Sequence, residues 1–204
     1  MKWFISGVVL LGLGVAAWLF RGGEQIGELV ADQGRDHVGS VLGVEYNSSP
    51  PTSGPHYAQW TKRGVYEEPM EDGYLIHSLE HGYVVISYDC TKLISNFQFP
   101  IFKKALAHEG EDDIPEGQAH EASGAGELNK DWQSEECKQL KGRLGEFYEK
   151  NKRRRLIIVP RLDLKTKVAM TAWNRLLTME EWDETKANEF IEAWENKGPE
   201  RTME

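Results

Sequence analysis

Almost uninterrupted apolar runs mark the strands expected at the centre of this chain. Tyr83 to Tyr88 is rich in β-branched and aromatic residues, as expected for a strand that is covered on both faces. Leu156 to Val159 is a second run of this kind. Lys167 to Trp173 alternates apolar and polar positions, which predicts a third strand with one buried face. A weaker alternation predicts a fourth, short strand over Val41 to Tyr46.

Apolar residues at steps of three and four predict the helices. One such stripe indicates an amphipathic helix over residues 132–150. Its members are Cys137, Leu140, Leu144 and Phe147. Thr178 and Glu181 fit a capping box, which predicts the start of a final helix. Pro100 is suited to the first turn of a further helix that ends near His108.

The order of these elements predicts the fold class. Strands lie close together along the chain and helices are inserted between them, which favours an α+β fold. We expect a single domain with a small, mostly antiparallel sheet that is flanked by helices. The chain has 204 residues, which suits one hydrophobic core better than two.

An apolar segment without charged residues, Trp3 to Phe20, begins the chain. As a helix it would be about 27 Å long, close to the roughly 30 Å of a bilayer's hydrocarbon core. A cleaved signal peptide is the alternative, because Lys2 gives a basic start and Val15 to Ala17 offers small residues for a peptidase. We favour an uncleaved anchor, because the apolar run exceeds the usual signal core.

These patterns give the following division of the chain. Residues 1–21 form the N-terminal transmembrane anchor or signal peptide, and residues 22–33 form a linker. Residues 34–198 form one extracytoplasmic α+β domain, and residues 199–204 form a tail. We therefore expect a membrane-anchored protein whose domain lies in the periplasm or at the cell surface.

Composition narrows the class of partner. The formal net charge is −9, which argues against nucleic acid. Ten per cent aromatic residues and only eight prolines argue against a disordered chain. The exception to the acidic balance is the segment Lys150 to Arg155, which carries five cations. These cations either complement the dipole of the preceding helix or form an anion or lipid-headgroup site.

The two cysteines, Cys90 and Cys137, are expected to form a disulfide, because an exported chain meets an oxidising environment. Two unpaired buried thiols are the alternative. A thiol redox centre is less favoured, since the chain has no C-x-x-C motif.

Four histidines in the first half of the domain are the candidate chemistry. They are His37, His56, His77 and His81. Four neutral imidazoles suit copper or zinc, and the thioether of Met70 or Met170 would favour Cu(I). His77 and His81 converge if their segment forms one helical turn, and a rigid loop, Pro50 to Pro55, precedes His56. The alternative is that these histidines are ordinary polar residues of turns.

Catalytic motifs are scarce. The zinc-protease motif H-E-x-x-H, the esterase motif G-x-S-x-G and the phosphate-binding glycine loop do not occur. Glu80 lies between His77 and His81 and is either a general base or a residue that orients a histidine. An enzyme is therefore the less favoured class.

The chain resembles a bacterial family of membrane-anchored or exported proteins catalogued as domain of unknown function 3105. The motifs that carry the resemblance span Pro50 to Tyr57, Gly64 to Tyr66, His77 to Gly82, Thr171 to Trp173, and Gly34 to Val38. The resemblance covers roughly residues 30 to 200 and implies an export-type N-terminus, one domain and a matching histidine set. Asn174 departs from the pattern, because a glycine is frequent there.

Three functions follow from these observations. The leading hypothesis is a membrane-anchored extracytoplasmic protein that binds copper, ahead of zinc, for metal carriage, sensing or buffering. Its ligands would be His56, His77 and His81, with His37 as a fourth ligand or a supporting residue. The first alternative is a non-catalytic interaction module that meets a membrane-protein partner through Arg153 to Arg155 or its tryptophans. The second alternative is a metal-dependent hydrolase that uses Glu80.

Overall fold

The computed structural model describes residues 25–91 and 130–200. Within these ranges there are three α-helices, α1 (Asp72–Glu80), α2 (Glu135–Asn151) and α3 (Glu184–Trp194), and a 3₁₀ turn over Lys130–Gln133 precedes α2. The strands are β1 (Glu28–Leu29), β2 (Gly64–Val65), β3 (Val84–Tyr88), β4 (Leu156–Pro160), β5 (Val168–Ala172) and β6 (Arg175–Met179).

One six-stranded sheet organises the described residues, with the strand order β1-β6-β5-β3-β4-β2. Three of its pairings are antiparallel and two, β3 with β4 and β2 with β4, are parallel. The α+β class is therefore confirmed, and the sheet is mixed, with antiparallel pairings in the majority. The chain reaches β4 from β3 only after α2, as a parallel neighbour requires a crossover connection.

The two central strands are buried on both faces, as their continuous apolar runs predict. All five residues of β3 and all five of β4 are buried. Val84, Ile86 and Tyr88 point into one hydrophobic cluster and Val85 points into the other. Successive residues of the strand therefore point to opposite faces of the sheet. The hydrophobicity of the sequence does not reveal this alternation, because both faces are buried.

Different helices cover the two faces of the sheet. On the first face, α2 and α3 pack against the alternate strand residues through side chains such as Leu144, Phe147 and Phe190. On the second face, Leu75 and Leu79 of α1 pack against the opposite residues of β3 and β4. The apolar residues of α1 are therefore fixed in the core. This packing holds the segment that carries His77 and His81 against the second face of the sheet.

Two predicted elements are wrong. Val41 to Tyr46 forms turns and irregular backbone instead of a strand. Thr178 does not cap a helix: it lies in β6, where it pairs with Ala169 of β5. Asp183 caps α3, and its carboxylate accepts from the backbone N–H groups of Thr185 and Lys186, which is the usual role of aspartate at this position.

The predictions for the N-terminus and for the segment after Pro100 fall partly outside the described residues. The expected anchor, Trp3 to Phe20, and the expected helix from Pro100 lie outside the described residues. Among residues 25–91 and 130–200, no helix is long and apolar enough to cross a membrane. The expected linker, residues 22–33, contains β1, which pairs with β6. The folded part therefore begins before residue 34.

The predicted disulfide is present. Cys90, just after β3, is bonded to Cys137 in the first turn of α2, with the two Cα atoms 5.3 Å apart. Both residues are fully buried in the cluster between the sheet and α2. The bond therefore fixes α2 to the end of the central strand.

Removal of this bond by the double change Cys90→Ala and Cys137→Ala should destabilise the domain by about 4 kcal/mol, because the closed loop spans 47 residues. We expect the thermal midpoint to fall by roughly 10 °C, measured by circular dichroism. A reductant should lower the midpoint of the wild type and leave that of the double variant unchanged. Equal midpoints for the two proteins would contradict a stabilising role.

Candidate metal centre

A buried loop, Pro50 to Pro55, positions His56. Gly54 has φ +118°, and an added Cβ would lie 3.1 Å from the Tyr46 ring, so both the backbone angle and the space require glycine. The Tyr46 hydroxyl donates to the Pro55 carbonyl at 2.7 Å, and burial raises the pKa of Tyr46 to about 12. The hydroxyl therefore keeps the proton that holds this loop.

Backbone pairing brings His37 next to His56. The Val38 N–H donates to the His56 carbonyl at 2.8 Å, and the His56 N–H donates to the Asp36 carbonyl at 3.0 Å. The two imidazole rings lie 5.0 Å apart between centroids. His56 is fully buried, whereas the side chain of His37 is 49% exposed. His37 therefore forms the solvent side of the pair.

The last turn of α1 supplies His77 and Glu80. Residues three apart lie on the same helix face, and this face meets the two histidines described above. The His77 ring lies 5.0 Å from the His56 ring and 4.8 Å from the His37 ring. The Glu80 carboxylate is 3% exposed, with Oε2 2.9 Å from His56 Nε2 and Oε1 3.4 Å from an Arg35 guanidinium nitrogen.

Both ring nitrogens of His56 face acceptors. Nδ1 is 2.8 Å from the Gly54 carbonyl oxygen, so it carries a proton and donates. In a neutral ring, Nε2 would then point a lone pair at the Glu80 carboxylate, 2.9 Å away. The pair therefore requires a positive charge between its two atoms, which is either a proton or a metal ion bound by both.

His77 presents a free lone pair to the same place. Its Nδ1 donates to the Tyr57 carbonyl at 2.7 Å, which leaves Nε2 as an acceptor. Burial lowers the pKa of His77, with smaller contributions from the neighbouring imidazoles, although the Tyr57 bond acts in the opposite direction. Burial thus favours the neutral form of the His77 ring, the state in which imidazole binds metals.

His37, His56, His77 and Glu80 form one group that could hold a metal ion. One potential ligand atom from each lies within 4.8 Å of the others. Ligand atoms bound at about 2.1 Å from one ion are at most about 4.2 Å apart. A shift of a fraction of an ångström in the ring positions is therefore enough to close this group around an ion.

His81 lies on the other side of His77 and has an unusual environment. Its ring is 4.6 Å from that of His77 and meets the Trp60 ring edge-on at 5.0 Å. It is 4% exposed, and neither ring nitrogen has a hydrogen-bond partner among the described residues. Buried polar atoms of this kind are uncommon, because the lost contact with water costs about 1–3 kcal/mol.

The C-terminal segment closes over the end of α1. Gly82 has φ +80°, and the Asn196 N–H donates to its carbonyl at 2.8 Å. A Cβ on Gly198 would lie 2.1 Å from the Glu80 carbonyl oxygen, so only glycine allows this approach. The Glu200 N–H donates to that same carbonyl at 3.0 Å. Residues 199 and 200, expected in the tail, are thus attached to the candidate centre.

A second group that could hold a metal ion results from this contact. It consists of His77, His81 and Glu200, again with one ligand atom of each within 4.8 Å of the others. His77 belongs to both groups. His37 and His56 therefore lie with His77 in the first group, and His81 lies with His77 in the second. The four histidines do not all surround one point.

Residues 37–109 and 128–204 match the family model described as Protein of unknown function (DUF3105). The chain belongs to this family. The match begins at His37 and includes Glu200, so both candidate groups of this DUF3105 domain lie inside it. No curated protein and no solved structure matches the chain.

Asn174 stands where the sequence resemblance led us to expect a glycine, and its backbone accounts for that expectation. Asn174 follows Trp173 in the two-residue turn between β5 and β6 and has φ +57°, a conformation that glycine adopts freely and asparagine tolerates. Its amide donates to Asp32, and its N–H donates to the Thr52 carbonyl. The turn therefore supports the loop that carries His56.

The two methionines considered as thioether ligands, Met70 and Met170, have other contacts in this DUF3105 domain. Met170 points into the cluster on the opposite face of the sheet from α1. Met70 accepts from the Thr61 hydroxyl at 2.6 Å and packs with the α1 face. Neither thioether supports the expected preference for Cu(I).

Two of the arginines that follow α2, Arg154 and Arg155, make contacts inside the domain. Arg154 pairs with Glu195 at 3.0 Å. Arg155 donates to the His81 carbonyl at 2.5 Å and lies over the Tyr83 ring. These contacts fix the end of α1 and weigh against a headgroup site at these two side chains.

The closure by the C-terminal segment can be tested with Gly198→Ala. The added methyl group should destabilise the closed segment by about 1–3 kcal/mol, because it overlaps the Glu80 carbonyl. We expect faster amide hydrogen exchange at Asn196 and Glu200. Gly39→Ala is the matched control, since its methyl group would meet no atom within 4 Å. Equal protection in the wild type and in Gly198→Ala would contradict this packing.

Proposed function

We propose that this DUF3105 protein is a membrane-anchored extracytoplasmic protein that binds one transition-metal ion through His37, His56, His77 and Glu80. The His56 and Glu80 pair is the main support, because a metal ion is one of the two charges, beside a proton, that can join its atoms, and two further imidazoles converge at this point. In this proposal Glu80 is a ligand of the ion and does not transfer a proton.

Copper(II) is the ion we favour, ahead of zinc. Imidazole suits both metals, and sites of nitrogen and oxygen generally bind Cu²⁺ more tightly than Zn²⁺. The positions of Met70 and Met170 remove the argument for Cu(I) but leave the three nitrogens and one carboxylate that suit Cu(II).

The location belongs to the same proposal. The bond between Cys90 and Cys137 supports an oxidising compartment, and the apolar N-terminal run supports an anchor there. The half-exposed ring of His37 gives the ion access to solvent. A site of this kind suits metal carriage, sensing or buffering.

Metal titration of the purified full-length chain tests the proposal. The wild type should bind one Cu²⁺ ion, and His37→Ala should lower the affinity at least tenfold, since even loss of a residue that only supports a ligand costs about 10–100-fold. His37 is suited to this test because its side chain is half exposed, so its removal leaves the core packing unchanged. Asp36→Ala, next to it in the chain, should bind as the wild type does. A wild type without bound metal would end the proposal.

Glu80→Gln separates a ligand from a structural residue. The amide can donate to His56 Nε2 and keep the hydrogen bond, so the thermal midpoint should change little. The loss of the anionic oxygen should weaken Cu²⁺ binding at least tenfold, measured by competition with a chelator. An unchanged affinity would show that Glu80 only supports the His56 ring.

A further inference from the structure

We propose that the chain has a second metal position, formed by His77, His81 and Glu200, which shares His77 with the first and exchanges a single ion with it. This inference rests on the proposed function for the first position. The ligand class is a divalent transition-metal ion, because two imidazoles and one carboxylate converge.

The first argument is the condition of His81. Its buried ring contacts the rings of His77 and Trp60, and both of its nitrogens lack a partner among the described residues. A buried imidazole that serves packing alone would be better replaced by an apolar ring, since its two polar atoms cost free energy there. A metal ion at this place would satisfy one of the two nitrogens.

The second argument is the position of Glu200. The C-terminal segment is fixed by hydrogen bonds from Asn196 to Gly82 and from Glu200 to Glu80, and by the close approach of Gly198. These contacts place an exposed carboxylate oxygen within 4.8 Å of a nitrogen of each of the two imidazoles. Glu200 therefore has the charge and the access to solvent that an ion-exchange position needs.

The third argument is the chemistry of His77. Its Nδ1 proton is donated to the Tyr57 carbonyl, so one nitrogen, Nε2, is left for a metal. A neutral imidazole nitrogen has one lone pair and binds one ion. Full occupation of either position therefore excludes full occupation of the other, and the chain holds one ion.

The two positions have different ligand sets. The first offers three nitrogens and a carboxylate, with His56 and Glu80 deeply buried. The second offers two nitrogens and the carboxylate of the exposed Glu200, which leaves coordination places for water or for a ligand of a donor or acceptor molecule. The second position is thus suited to entry and release of the ion, and the first position is suited to its retention.

The experiment uses the full-length chain, Cu²⁺ alone as the probe, and a variant in which the first position is disabled, His37→Ala with Glu80→Gln. This variant should bind one Cu²⁺ at least tenfold more weakly than the wild type, and its electron paramagnetic resonance spectrum should show two nitrogen ligands instead of three. Addition of Glu200→Gln should weaken the remaining binding at least a further tenfold. Glu189→Gln, an exposed change on α3, is the matched control and should have no effect.

Other results would overturn the second position in distinct ways. No Cu²⁺ binding by the disabled variant, with one ion in the wild type, would leave the first position alone. Binding that is insensitive to Glu200→Gln would exclude Glu200, and two ions in the wild type would exclude a shared His77. If the disabled variant binds as tightly as the wild type but responds to Glu200→Gln, the second position stands and the first fails.

Discussion

The buried pair of His56 and Glu80 is the interaction on which the rest of the centre depends. A carboxylate that is removed from water is costly unless it is paired and hydrogen-bonded, and Glu80 is 3% exposed while His56 is fully buried. The fold meets this cost by fixing both partners from their backbones. The Gly54 carbonyl holds the ring, and the last turn of α1 holds the carboxylate. Breaking a buried pair of this kind typically costs about 3–5 kcal/mol.

Rigid irregular segments hold the centre, and regular elements support them. The loop from Pro50 to Pro55 has no strand or helix, yet distant parts of the chain donate hydrogen bonds to two of its oxygen atoms. Gln33 donates to the Ser53 hydroxyl, and Asn174 donates to the Thr52 carbonyl. Loops that bind ligands from a rigid scaffold follow this general pattern, and here the loop itself is buried.

The sequence was sufficient where a feature depends on neighbours in the chain. The apolar runs gave β3 and β4, the stripe through Cys137 and Phe147 gave α2, and the histidines were recognisable by type. Prediction failed where tertiary contacts decide. β6 is half exposed and has no apolar alternation, so Thr178 resembled a helix cap. No local pattern marks Glu200 as a neighbour of His81, because Gly82 and Gly198 meet only in the folded chain.

The candidate ligands of the two groups come from both ends of the domain, from His37 near its beginning to Glu200 near its end. Proteins are synthesised and exported from the N-terminus, and N-terminal parts generally fold first. A chain that has emerged only as far as α2 already contains His37, His56, His77 and Glu80, but it lacks the Asn174 turn that supports the His56 loop. The candidate centre is therefore complete only after the last part of the domain has been synthesised.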